Sequence, residues 1–250
     1  MQIVRIHYKG KAYWGAKRED AIHLIEGMPF GRIKYSSKTV ALNQVKLLPA
    51  SEPSKIIMVG LNYRKHAKEL GLKIPKEPVL FLKPSTSLLA AGAKIIYPQA
   101  VKRLDYEAEL AFVVKKTARN IREKKAKEYI LGYTCCNDVT ARDLQKKDGQ
   151  WTRAKSFDTF CPLGPHIETQ IQPENLSVCS YLNGKLKQSS TTADFIFPVC
   201  YLLAFVSRIM TLLPGDVIST GTPHGIGRMK KGDKIEVQIS GIGCLKNQVA

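Results

Sequence analysis

Residues 104–114, LDYEAELAFVV, carry two patterns at once. From Ala108 onward the stretch is almost continuously apolar, as in a strand inside a sheet. Up to Glu109, acids recur at every second position: Asp105, Glu107 and Glu109. Side chains two apart on a strand point to the same face, so the three carboxylates form a row at the edge of a buried sheet. Like charges so placed repel and need compensation. A solvated polar face is one reading, but Ala108, Leu110, Phe112 and Val113 make a wholly exposed face a poor fit. The other is a hard divalent cation, Mg²⁺ or Mn²⁺, held by carboxylate oxygens.

Outward from this strand, KIIMVG (55–60), PVLFLKP (78–84) and KIIYP (94–98) read as further strands, and LSVCSYLNGKLKQ (176–188) as a hairpin with an Asn-Gly turn. Helices are expected at LNYRKHAKELG (61–71), closed by Gly71, at FPVCYLLAFVSRIM (197–210), and at NIREKKAKEYILGY (120–133), where Ile121, Ala126, Tyr129 and Ile130 form an apolar face. Strands outnumber helices and do not alternate with them. The class is therefore α+β, mostly β, with mixed sheets, and neither a doubly wound nor a TIM-barrel arrangement. Residues 1–50, with strands QIVRIHYK, KAYWGAKR and AIHLIEG, read as a small β-rich N-terminal domain, and 51–250 as the larger catalytic unit.

Composition narrows the function. The longest uncharged apolar run, VCYLLAFV, is far short of a bilayer span, and the N-terminus lacks the apolar core of a signal peptide, so a cytoplasmic location is expected. Thirty-nine Lys and Arg against 21 Asp and Glu, net +18, invite a nucleic-acid partner. The lysines, however, are scattered, and the densest clusters, REKKAK and LQKK, lack interleaved aromatics. A small anionic substrate suits the same field. The six cysteines show no CxxC spacing, which argues against a zinc site or a disulfide framework.

Asp138, in NDVTARDLQ after the apolar YILGYTCC, is the candidate third acid; an Asx-turn or a helix N-cap is its plainer reading. Arg142 and Gln145 follow at spacings of four and seven, which on a helix would put all three on one face as a carboxylate clamp. His66 and Glu69, at i and i+3, suit an acid/base pair or a plain surface pair. Lys155 and the Gly-rich loop STGTPHGIG (219–227) complete the candidates. That loop has neither phosphate-cradle spacing, and no GxSxG nucleophile elbow is present.

Taken in order, VGLNYRKHAKELG, EPVLFLKPSTSL, LDYEAELAFVV, GYTCCNDVTARDLQ, QWTRAKSFDTFCPLGP and MTLLPGDVISTGTPHGIG resemble the fumarylacetoacetate hydrolase family from about Lys55 to Val249. The match is to its short prokaryotic members, acylpyruvate or fumarylpyruvate hydrolases and 2-hydroxyhepta-2,4-diene-1,7-dioate isomerases. The resemblance implies a mixed β-sheet roll or barrel in a homodimer, and a Mg²⁺ or Mn²⁺ ion on Glu107, Glu109 and Asp138, with Asp105 left at the rim or behind the ligands. It implies that His66 and Glu69 are the acid/base dyad, with Lys155 assisting. Arg142, Gln145, Lys155, Gly221 and Thr222 would hold the substrate. The expected reaction is hydrolytic C–C cleavage of an acylpyruvate or β-diketo acid through a metal-bound enolate. Isomerisation or tautomerisation of a 2-hydroxy-dienedioate, or oxaloacetate decarboxylation, are alternatives on the same site, and a basic nucleic-acid-binding protein is the alternative of another class. Two positions depart from the family pattern: Val59 stands where longer members carry a fourth acid, and His224 where a small residue is expected.

Overall fold

The computed structural model describes residues 1–69 and 71–250. Its centre is the strand Ala108–Val114, every residue of which is buried. Ala108, Leu110, Phe112 and Val114 face one hydrophobic core, and Ala111 and Val113 face another. This is why the sequence there is continuously apolar, since a strand with a core on each side has no solvent face. Antiparallel neighbours are Ile130–Asn137 on one edge and Val217–Ser219 on the other.

The sheet continues through Cys161–Glu168 on one side, and through Ile56–Gly60 and Val79–Lys83 on the other. Val217–Ser219 pairs with Ile56–Gly60 in parallel, so the sheet is mixed. A second, five-stranded sheet holds Lys185–Thr191, Ser177–Leu182, Lys234–Ile239, Gly243–Val249 and Lys94–Ile95. Val178, Val237, Ile239 and Leu245 from this sheet pack in the same core as Leu110 and Phe112, which makes the body a sandwich. The large sheet does not close into a barrel: its path ends at Tyr35–Ala41 and at Val79–Lys83.

The N-terminal strands Gln2–Tyr8, Lys11–Arg18, Ala21–Ile25 and Tyr35–Ala41 enclose a small core of Val4, Ile6, Ile22, Leu24 and Val40. They also extend the large sheet, because Gln2 and Ile3 pair with Glu168 and Ile167. The Asn183-Gly184 hairpin turn has φ of 51° and 74°, the left-handed pair that a tight hairpin needs.

The helix Val199–Ile209 forms where the periodicity places it, burying Val199, Leu202, Leu203 and Val206 against the shared core. The helix expected over 120–133 does not form. Glu123–Tyr129 makes 3₁₀ turns, and Ile130 enters a strand opposite Val114. Ala126 is still buried and Ile121 and Tyr129 still pack on the core, so the apolar face was read correctly and the period was not. Sheet pairing beyond the local window decides residues 130–133.

Candidate active site

Glu107 stands where the chain changes sheets. Leu104–Tyr106 belongs to a small sheet with Thr140–Ala141 and Gly227–Met229, and Ala108 joins the large one. Side chains stand in for ladder partners at the change: Glu107 N donates to Asn137 Oδ1 (3.0 Å) and Ala108 N to Gln188 Oε1 (3.0 Å). The register Ala108↔Asn137, with Asp138 N donating to Glu107 O at 2.9 Å, brings Asp138 beside the two glutamates. All three acids are buried, and each offers an oxygen within 4.8 Å of the others.

Each carboxylate is held. Glu109 Oε2 accepts from Ser219 Oγ (2.5 Å) and from the backbone of Gly221 (3.0 Å). That approach needs glycine: Gly221 has φ +89°, and a Cβ there would lie 2.9 Å from Val59 O. Glu107 is paired with Arg142 and with Lys155 Nζ (3.0 Å), and Lys155 Nζ also reaches Asp138 Oδ2 at 2.5 Å. Lys83 Nζ lies 2.7 Å from Asp138 Oδ1 but out of hydrogen-bond alignment, so this oxygen has a charge contact and no hydrogen bond. The Lys83 ammonium donates instead to Val139 O (3.1 Å) and Phe160 O (2.6 Å).

Burial would raise the Glu107 carboxyl, but Lys155 and Arg142 outweigh it and hold it at about 2. Among the described residues Glu109 is ion-paired with no cation. Burial, then the neighbouring Asp138, Cys136 and Glu107, push it well above the usual carboxylate range. For Lys155, burial is outweighed by Asp138 and Glu107, which keep its ammonium charged. Hard, convergent oxygens, one of them without a hydrogen-bond donor, and a glutamate lacking a countercharge fit a hard divalent cation.

These groups open on a cavity of about 530 Å³ that is also lined by His66, Glu69, Arg142, Gln145, Lys155 and Thr222. His66 and Glu69 lie on the short helix Arg64–Glu69, with His66 Nδ1 2.8 Å from Glu69 Oε2. Glu69 Oε1 accepts from the backbone of Gly225 at 3.1 Å, so the Gly-rich loop touches this pair. Arg142 and Gln145 share the helix Arg142–Asp148, with Arg142 Nη1 donating to Gln145 Oε1 at 2.5 Å. Asp138 is not on that helix; it follows the strand Ile130–Asn137, which corrects the expectation of three residues on one helical face. The Thr222 hydroxyl donates to Ala108 O (2.9 Å) and accepts from Gln188 Nε2 (2.8 Å). Val59 also lines the cavity, and His224 has a buried Nδ1 with no hydrogen-bond partner among the described residues.

Of the two places expected for Asp105, the structure shows the one behind the ligands. It is fully buried, and its two oxygens accept from Arg103 Nε and Arg142 Nε, each at 2.9 Å. Sequence reasoning also missed Lys83, Arg103, Ser219 and Gln188. Lys83 left a trace as a lone charge closing the apolar run in LFLKP, and Ser219 as the first residue of the Gly-rich loop already among the candidates.

The model of the fumarylacetoacetate hydrolase C-terminal family matches residues 55–250, and an Rv2993c-like N-terminal family matches residues 1–49. An uncharacterised protein of Archaeoglobus fulgidus is 57% identical over 208 residues, 83% of each chain. The mitochondrial oxaloacetate tautomerase Fahd2a of Rattus norvegicus is 40% identical over 81% of this chain and 68% of its own length. The crystal structure of 5-carboxymethyl-2-hydroxymuconate delta-isomerase from Mycobacterium smegmatis superposes with a TM-score of 0.95 at 38% identity, covering 100% of this chain and 99% of that one.

Proposed function

Because the chain belongs to the fumarylacetoacetate hydrolase family, we propose that it is a Mg²⁺- or Mn²⁺-dependent enzyme that moves a proton at the carbon beside the keto group of a small 2-oxo acid. It thereby interconverts keto and enol, or dienol, forms. The observation that carries this reading is the opening of three convergent carboxylates and a carboxylate-held imidazole onto one cavity. Bound there, the divalent cation supplies Lewis-acid polarisation of the 2-oxo group, which acidifies the neighbouring C–H.

An ionised Glu69 only accepts, so the His66 proton sits on Nδ1 and Nε2 presents its lone pair as the base. His66 Nε2 takes the C3 proton and returns it to the enol oxygen or to a carbon further along a conjugated chain. Arg142 Nη1 and Nη2 each keep one hydrogen beyond those given to Gln145 and Glu107, and these receive the substrate's C1 carboxylate. Around the site five carboxylates (Glu69, Asp105, Glu107, Glu109, Asp138) meet five cations (Lys83, Arg103, Arg142, Lys146, Lys155). Adding a divalent cation leaves an excess of positive charge that an anionic substrate balances.

Hydrolytic cleavage of an acylpyruvate is the second reading, favoured by a dyad that could equally activate water. It also needs a cation at the C4 oxyanion, for which Lys155 Nζ keeps one hydrogen beyond those given to Asp138 and Glu107. The names of the relatives, a tautomerase and an isomerase, support proton transfer as the first reading.

The test is a product-resolved assay of the Mn²⁺-loaded protein on enol-oxaloacetate, an acylpyruvate and a 2-hydroxy-dienedioate. Enol decay accelerated by the protein, and abolished by a chelator and by Glu107→Ala, is expected. Full rate after chelation sinks the site, and acylpyruvate cleavage outrunning proton transfer selects the hydrolase.

A further inference from the structure

Asp105 is a fully buried carboxylate shared by two guanidinium groups. Arg142 uses its remaining nitrogens on Glu107 and Gln145. Arg103 does not: among the described residues only its Nε is engaged by a protein acceptor, the side chain is 47% exposed, and it lines the cavity. Its backbone is pinned, because Arg103 N donates to Asp143 Oδ1 (3.2 Å) and Arg103 O accepts from Arg142 N (2.8 Å). The result is a guanidinium oriented at one nitrogen, on a residue that lines the cavity, with its two terminal nitrogens unengaged by protein acceptors among the described residues. That is the fork geometry that receives a carboxylate with two parallel hydrogen bonds, and its ordering cost is met before a ligand arrives.

Nothing in the proposed proton transfer uses this group. The C1 carboxylate and 2-oxo group of a substrate fall to Arg142 and the metal ligands, so Arg103 is placed for a second anionic group. We infer that Arg103, positioned by Asp105, selects substrates with a distal carboxylate: 2-oxo dicarboxylates over 2-oxo monocarboxylates of the same length. This rests on the 2-oxo-acid reading of the site and adds to it a residue that sets specificity.

Two probes that undergo no net change on the enzyme, because the keto form dominates at equilibrium, differ only at the far end: 2-oxoadipate and 2-oxohexanoate. Their dissociation constants are measured by calorimetry on the Mn²⁺-loaded full chain, for wild type, Arg103→Gln and Arg103→Lys. A charge-assisted contact of this kind predicts that wild type binds 2-oxoadipate about 10- to 100-fold more tightly. In Arg103→Gln the ratio falls to near one, and Arg103→Lys recovers part of it. Because the readout is a ratio within one protein, a general loss of affinity cancels. A wild type that binds both probes alike overturns the inference and leaves the 2-oxo-acid reading standing. A ratio unchanged in Arg103→Gln also overturns it. Binding of neither probe removes that reading, and the inference with it.

Discussion

Lys83→Met removes the charge behind Asp138 while keeping a long, flexible, apolar side chain in its place, so little cavity is created. Lys83 is buried, and its ammonium serves Val139 O, Phe160 O and, at 2.7 Å, Asp138 Oδ1. The substitution leaves two carbonyls without this donor and Asp138 with Lys155 alone. Breaking a buried ion pair on one side costs about 3–5 kcal/mol. For a chain of this size each kcal/mol lowers the thermal midpoint by about 2–4 °C, so the metal-free midpoint should fall by ~6–20 °C. Asp138→Asn and the double variant complete a cycle that separates the pair from general damage. If Lys83 and Asp138 act as a pair, the double variant recovers about 0.5–3 kcal/mol relative to the sum of the single changes. Thermal and urea unfolding in a chelator measures all four proteins. A single-variant cost under about 1 kcal/mol, or additivity within about 0.5 kcal/mol, refutes the reasoning.

Glu109→Gln should leave metal-free stability unchanged or raise it by about 1 kcal/mol, because burial and like charges already disfavour its ionised form. The same variant should lose the rise in melting temperature that Mn²⁺ gives the wild type, and a destabilised metal-free protein that still responds to Mn²⁺ counts against the ligand set. Gly221→Ala forces a side chain into φ +89° and against Val59 O; about 1–3 kcal/mol of destabilisation and a displaced Glu109 donor are expected, read as a lower unfolding midpoint with weakened Mn²⁺ binding. Burial pushes the His166 imidazole below its ordinary 6.5, so the unfolded chain binds the extra proton first. Stability is therefore full above about pH 6.5 and falls as pH drops below it, by up to about 1.4 kcal/mol per pH unit until the folded group also titrates. His166→Gln should flatten that slope between pH 7 and 5, and an identical slope in the variant excludes His166 as the cause.

The substrate-facing groups divide by how far apart in the chain their partners lie. His66 with Glu69, and Arg142 with Gln145, are each within one helical turn, so spacing alone exposed them. Glu107 and Glu109 stood out because two acids at strand spacing ran into an apolar stretch. Asp138 was the harder member: nothing local separated it from a turn or cap residue, and only the ordered set of motifs in the rest of the chain raised it to a ligand. Lys83, Ser219 and Gln188 had no such support, being single polar residues in strands or turns whose partners lie 55, 110 and 80 positions away at Asp138, Glu109 and Ala108.

By itself the sequence determined the class of fold, the buried strand, and acids and a His–Glu pair set at strand and helix spacing as candidates for a metal site and a base. Those are consequences of periodicity, and period two or 3.6 is a property of neighbours along the chain. Tertiary structure alone decided that residues 130–133 are strand rather than helix, that Asp105 is buried behind the ligands rather than at the rim, and that Arg103 lines the cavity with only its Nε engaged by a protein acceptor among the described residues. Each depends on sheet register and on side chains meeting across long sequence separations. A one-residue slip in register would send every one of those side chains to the opposite face.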